Sequence, residues 1–177
     1  MISLYRASVT DAEMISTLAK EIYKEHYLHL WHGDGAAWYM NTNAYALDKI
    51  ENELIDKNTE YIIAIENGRN VGYLKMVFTA ILSPDDNRNA MEVERIYLHK
   101  ASMGKGLGRK LMKFALEKAR ALKKEIIFLK AMDTSTEAIA FYKKAGYTIC
   151  GSIQLPLPEY SLMKEEYRGM VILKRII

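Results

Sequence analysis

The chain has 177 residues, half of them hydrophobic and 27% charged, with three prolines and ten glycines. That is a globular composition, since disordered chains lack the apolar surface that offsets ordering entropy, and it excludes collagen-like and low-complexity classes. The formal net charge of +3 is too small to mark a nucleic-acid binder, and no apolar run approaches the roughly 18 residues of a membrane helix. A lone cysteine, Cys150, cannot form an intramolecular disulfide, and the N-terminal residues lack the basic flank and long apolar core of a signal peptide. The expected setting is a reducing cytoplasm, and the expected organisation one domain over residues 1–177.

The predicted elements begin with a short strand over Ile2–Ala7. Thr10-Asp-Ala-Glu13 reads as a capping box, and Met14, Ile15, Leu18 and Ile22 follow at helical spacing to about His26. His29–Asn43, rich in Trp, Tyr, Gly and Asn, reads as a loop with a helical turn, and a helix resumes over Ala46–Lys57. Three extended runs follow, Tyr61–Glu66, Val71–Phe78 and Glu92–Leu98. Asn67-Gly68 is a strong hairpin signal between the first two because both residues tolerate positive φ, so the three form an antiparallel meander. Leu107, Leu111, Ala115, Ala119 and Leu122 then trace one helix face, with Arg109, Lys110, Lys113 and Arg120 off it. Ile126–Ala131 is a buried-strand pattern. Thr134-Ser-Thr-Glu137 is a second capping box before a short helix closed by Gly146, and Tyr147–Leu155 and Met170–Ile177 are the final strands around a polar segment, 156–168. A right-handed crossover places strands 92–98 and 126–131 parallel and adjacent. The fold class is α+β, a mixed, mostly antiparallel sheet flanked by helices.

Met103-Gly-Lys-Gly-Leu-Gly-Arg109 joins a strand to a helix N-terminus, where free amides and the positive end of the helix dipole favour an anion and glycine lets the backbone approach it. Lys105 and Arg109 add charge. A nucleoside triphosphate loop would need Ser or Thr after its lysine, and Lys105 is followed by Gly106. A dinucleotide fingerprint would need G-x-G-x-x-G and an acidic residue ending the next strand; here the glycines are 104, 106 and 108, and that strand ends Leu129-Lys-Ala131.

Glu94-Arg-Ile-Tyr-Leu98, the loop Gly104–Arg109, and Thr134–Tyr147 with its Ala140-Phe-Tyr-Lys-Lys-Ala-Gly-Tyr147 resemble the successive motifs of the Gcn5-related N-acetyltransferase (GNAT) superfamily. The motif-bearing resemblance runs from about Met91 to Tyr147, and the preceding helix-helix-hairpin layout agrees with it. It implies acetyl-CoA as donor and a central parallel pair that splays to admit the pantetheine arm. Ile96, Tyr97 and Leu98 then hold that arm through their backbone, and Met103, Gly104, Lys105, Gly106, Gly108 and Arg109 hold the pyrophosphate. Met103 stands where the family often has Gln or Arg, which removes a side-chain contact but not the amides. Ser135 stands where Asn is frequent and still offers a hydroxyl to the cofactor.

Acyl transfer to an amine needs the amine neutral, a donor for the developing oxyanion and a proton for the leaving thiolate. The resemblance implies that Tyr142, close to the cofactor sulfur, is the general acid; without it, Tyr142 reads as a packed tyrosine. Glu92 and Glu94 share a strand face. Glu94, nine residues before Met103, matches a glutamate that contacts the amine, directly or through water, in the polyamine-acetylating branch, and is the candidate amine contact or water-mediated base, with Glu92 the alternative; the competing reading is a carboxylate paired with Arg95 or a lysine, or one that is simply solvated. The oxyanion donor is expected to be a backbone amide near Leu98.

Glu21, Glu25, Asp34, Glu165 and Glu166 are candidates for the distal ammonium groups of a polyamine such as spermidine or spermine, and the first-to-second helix connector also resembles that branch. Rival readings are a protein N-terminal or lysine acetyltransferase and a catalytically quiet acyl-CoA sensor. His26, His29 and His32 recur every three residues, but glycines at 33 and 35 break the helix a metal site would need, so no metal is expected. Trp31, Trp38, Tyr39 and Tyr45 read as packing residues of the connector, and Cys150 as a core strand residue. By analogy with the family, a homodimer through the C-terminal strands is one arrangement the resemblance allows.

Overall fold

A computed structural model describes all of Met1–Ile177. Seven strands form one sheet: β1 (Ile2–Arg6), β2 (Thr59–Glu66), β3 (Arg69–Ala80), β4 (Ala90–Leu98), β5 (Ile126–Met132), β6 (Thr148–Gln154) and β7 (Gly169–Ile176), in the spatial order β1-β2-β3-β4-β5-β7-β6. Every neighbouring pair is antiparallel except β4 with β5. The helices are α1 (Ala12–His26), α2 (Gly35–Trp38), α3 (Leu47–Ile55), α4 (Leu107–Ala121) and α5 (Thr136–Lys144). This is the expected α+β class.

Strand alternation divides the apolar residues between two layers. Ile62, Leu74, Met76, Met91, Val93, Ile127 and Leu129 bury against Leu107, Leu111, Ala115 and Ala119 of α4, with Ile139, Phe141 and Ala145 of α5 packed beside them. On the opposite face Tyr61, Ile63 and Tyr73 meet Ile15, Leu18 and Ile22 of α1 and Ile50 of α3. The predicted stripe of α4 is the buried one except at its end, where Leu122 lies beyond the last turn and is exposed. Asn67 and Gly68 both adopt positive φ, and Glu66 pairs with Arg69 across a two-residue turn.

Local signals misplace both caps. The box before α1 forms two residues earlier than expected: the Ser8 amide donates to Asp11 Oδ2 at 2.8 Å, because β1 ends at Arg6 and the chain turns at once. Thr134 does not cap α5; its cap position is Ser135, without a side-chain cap bond. The connector is more regular than a loop. It holds a 3-10 turn at Leu28–Leu30, α2, and a π-helical stretch at Tyr39–Ala44, and it buries Trp31, Met40, Ala44 and Tyr45. Trp31 bridges to Met163, and the His32 amide donates to the Leu162 carbonyl, so segment 156–168 closes over it. Cys150 is exposed rather than in the core, because β6 is the outermost strand of the sheet.

Gly72 on β3 lies directly opposite Leu98 of β4. A methyl there would stand 2.5 Å from the Tyr97 carbonyl oxygen and against the Leu98 side chain. Gly72→Ala is expected to destabilise the protein by about 3 kcal/mol, the upper end for overpacking. That lowers Tm by about 6–12 °C for a domain of this size, as read by thermal unfolding.

Candidate active site

The parallel pairing of β4 with β5 is brief. Ala90, Met91 and Glu92 pair with Ile126, Ile127 and Phe128, and nothing beyond them is paired. β5 continues against β7 as far as Met132, while β4 continues against β3 as far as Leu98. A bulge accompanies the separation: Met76 opposes Val93 and Lys75 opposes Arg95, which leaves Glu94 as the extra residue of β4. Such a bulge bends its strand and increases local twist, here between the paired and open halves of β4.

Past the bulge, the His99 amide donates to the Val71 carbonyl at 2.9 Å. By antiparallel alternation Tyr97 spends its own backbone groups on β3, whereas Ile96 and Leu98 turn theirs to the open side. Two of the three expected pantetheine positions therefore present polar backbone to the opening. Tyr97 instead supplies its ring to the opposite face, against Tyr27 and Tyr73. The Leu98 carbonyl is 2.9 Å from His26 Nε2 at the end of α1. His26 is thus engaged with backbone, and no His, Cys, Asp and Glu group of metal-binding type forms.

After a 3-10 turn at Lys100–Ser102 the glycine loop meets α4. Gly104 and Gly106 have φ of +76° and +83°, and nothing lies within 4 Å of the place a Cβ would occupy on either. Left-handed backbone with open space outside it is a cradle that side chains would both strain and fill. Gly108 faces inward, its absent Cβ 3.4 Å from the Phe141 ring, so it lets α4 and α5 close on each other. Met103 and Arg109 are exposed at the loop's two ends. Lys105 is tied back: its Nζ donates to Glu66 Oε2 at 2.9 Å, as does Ser102 Oγ, which braces the loop against β2.

Ser135 stands at the start of α5, half-buried. Tyr142 lies on the same helix, its ring between those of Phe141 and Tyr147. Burial pushes its phenol well above the ordinary value of 10.0, and the nearby Tyr27 and Tyr147 add to the shift.

On the α1/α3 face the bulge puts Glu94 and Arg95 side by side. Lys75, only 3% exposed, bridges Glu94 Oε2 and Glu53 Oε1, the latter at 2.7 Å. Arg95 lies 3.7 Å from Glu53 and 4.0 Å from Glu94 Oε2, and donates to Tyr61 Oη at 3.3 Å, while Tyr61 donates to Glu53. Burial raises the Glu94 carboxyl, but Arg95 and Lys75 outweigh it and hold it below the ordinary carboxylate value. Its side chain is still 34% exposed. Glu92 pairs with Lys130 at 2.9 Å, away from this cluster.

Sequence reasoning missed Lys75 and Glu53. The signal for the first was a lysine inside the apolar run Val71–Phe78. It also missed a cleft of about 430 Å³ between α4 and α5, floored by Met112, Leu116 and Phe141 and edged by Arg109, Lys113, Lys144 and Arg175. Its cations come from three elements, so no local pattern marks them.

An opened parallel pair leading to a glycine cradle at a helix N-terminus agrees with a match of residues 17–147 to the model of the acetyltransferase (GNAT) family. The chain belongs to that family. The family's reaction class is acetyl-CoA-dependent acyl transfer to nitrogen. A relative described as an uncharacterized N-acetyltransferase in the pepI 3′ region of Lactobacillus delbrueckii subsp. lactis is 32% identical over 101 residues. The match spans 57% of this chain and 58% of that relative, less than two thirds of its length. Among solved structures, the PaiA N-acetyltransferase of Thermoplasma acidophilum in complex with coenzyme A superposes with a TM-score of 0.78 at 16% identity, covering 100% of this chain and 99% of the other. The ribosomal-protein-alanine N-acetyltransferase of Brucella melitensis gives 0.72 at 18% identity, covering 99% of each. At these identities the structural likeness carries the fold.

Proposed function

We propose that residues 1–177 form one acetyltransferase domain that moves an acetyl group from acetyl-CoA directly to a primary amine. The observation that carries this reading is the opening of β4 from β5 after Glu92 and Phe128, which leaves Ile96 and Leu98 without a strand partner on that side, the Leu98 carbonyl meeting His26 instead, and leads to the cradle at Gly104 and Gly106. Those groups fit the cofactor: a strand edge for the amide-bearing arm and a helix N-terminus for the pyrophosphate, with cations of the α4/α5 cleft beside it.

When bound, acetyl-CoA supplies the activated acetyl group as a thioester. The remaining work falls to the chain. The loop amides and Ser135 hold the cofactor, and a backbone amide of the open β4 edge stabilises the oxyanion. Tyr142 keeps its proton at neutral pH, gives it to the departing thiolate, and is restored by the second proton that the nitrogen sheds as the amide forms. Glu94 receives the amine, which loses its proton to water. The rate should rise with pH as the amine deprotonates, with no fall from Tyr142 below about pH 10, since its phenol is shifted upward. A kcat/KM profile descending between pH 8 and 10 would contradict this.

For the acceptor, a polyamine such as spermidine or spermine is the first candidate, on the position of Glu94 at the bulge. A second reading, a peptide N-terminus or lysine, is supported by the carboxylates around the site. Glu25, nominated to hold a distal ammonium, is taken by His99 at 2.8 Å and by the Lys100 amide, and Glu53 and Glu94 are balanced by Lys75 and Arg95. An acceptor panel decides, by free thiol released from acetyl-CoA with spermidine, spermine and N-terminal and lysine peptides. The polyamine reading predicts the highest kcat/KM for spermidine or spermine, weakened by salt. A peptide better by orders of magnitude replaces it, and release with none of them contradicts amine transfer.

A further inference from the structure

Glu94 combines two properties that pull apart. It is an acceptor-side carboxylate with an accessible side chain, and it is tied to a buried ammonium. Its two oxygens have different lives. Oε2 carries both cations, Lys75 directly and Arg95 at 4.0 Å, while Oε1 has no side-chain or backbone partner in the chain. The groups facing it are Lys75 from β3, Arg95 beside it on β4, Lys49 and Glu53 from α3, and Tyr39 from the connector. Within the cluster, the charges of Lys75 and Arg95 cancel those of Glu53 and Glu94.

We propose that Lys75 is a positioning residue: held between Glu53 and Glu94, it fixes Glu94 as a permanently ionised carboxylate whose free Oε1 docks the acceptor amine without taking its proton. The inference rests on the amine-transfer reading above. A buried ammonium persists only where partners repay its desolvation, and Glu53 and Glu94 are those partners. The bulge is what makes the arrangement possible, since Glu94 and Arg95 both stand opposite Lys75 where a regular strand would send one of them to the α4 layer. A carboxylate with two cations on one oxygen is a weak base and a good anchor. It orients an N–H through the other oxygen, and the proton of the incoming ammonium leaves through water.

The test has one arm independent of turnover. The side-chain carboxyl of Glu94 is titrated by carbon-13 NMR in the apo protein, its signal assigned by loss in Glu94→Gln. In the wild type its midpoint is expected below the ordinary carboxylate value. In Lys75→Met it should rise by about one unit or more, a tenfold gain in proton affinity. With the best amine of the panel, Lys75→Met should raise KM for the amine about tenfold or more with KM for acetyl-CoA within about twofold, and steepen the acid limb of kcat/KM.

Because Lys75→Met leaves the half-buried Glu53 beside Arg95 and Tyr61 alone, Lys75→Met/Glu53→Gln serves where the single variant fails to fold; it removes one charge of each sign and should show the same two changes. Lys75→Arg should restore the low midpoint and the low KM. A folded variant with the Glu94 midpoint and amine KM unmoved overturns the proposal, as does a wild-type Glu94 that titrates near neutrality. If no amine is acetylated, the amine-transfer reading fails by itself, and the titration still reports whether Lys75 governs Glu94.

Discussion

Tyr142→Phe is expected to lower kcat by roughly 10–1000-fold while leaving KM for acetyl-CoA nearly unchanged. The substitution keeps the ring that packs between Phe141 and Tyr147 and deletes only the hydroxyl, so it separates chemistry from packing. The site keeps the donor loaded: burial holds this phenol above its ordinary range, so its proton is present when the thiolate leaves, while the same shift makes it a weaker acid. The decisive measurement is single-turnover transfer, so that product release does not mask the step. Turnover unchanged with chemistry rate-limiting would leave Tyr142 as a packing residue.

Gly106→Asp should abolish most of the thermal stabilisation given by coenzyme A or acetyl-CoA. A ligand at 100 times its Kd that binds only the folded state stabilises by about 2.7 kcal/mol. For a chain of this size that is roughly 5–11 °C in Tm. Gly106 caps α4 with φ +83°, so aspartate would add both backbone strain and a negative charge where the helix presents its positive end. Gly106→Ala is the control: it shares the strain and lacks the charge, and should keep more of the ligand shift. A wild-type protein with no shift at millimolar acetyl-CoA would remove the donor assignment altogether.

Much of this fold was legible because its determinants are local. Asn67-Gly68 names its own turn, the four-residue spacing from Leu107 to Ala119 names the face of α4, and Gly104 and Gly106 just before that helix mark the cradle. The errors lie where two local signals compete or where long-range order decides. Ser8-Val-Thr-Asp11 and Thr10-Asp-Ala-Glu13 both fit a capping pattern, and the end of β1 chooses between them. Cys150 looks like a core residue until the strand order puts β6 at the edge. The bulge at Glu94 has no signature of its own, and so neither did the cluster it assembles, whose members come from β2, β3, β4 and α3. Lys75 in an apolar run was the one visible oddity. The candidate base was found by motif spacing, but its partners, which decide whether it can act as a base, required the tertiary structure.

The position of β7 bears on how the chain acquires its structure during synthesis. β7 lies between β5 and β6, and β6 has no other partner in the sheet. The backbone of residues 148–154 must therefore wait, unpaired, until residues 169–176 have left the ribosome, and β5 waits with its outer edge open. The meander of β2, β3 and β4 is under no such constraint, since each strand pairs with the one just made. Assembly is thus expected to proceed in two stages, an early half around the hairpins and a late half that closes through the last strand. The late, non-local closure is the slow one, and a chain stalled before Gly169 would expose two bare strand edges to any neighbour able to pair with them.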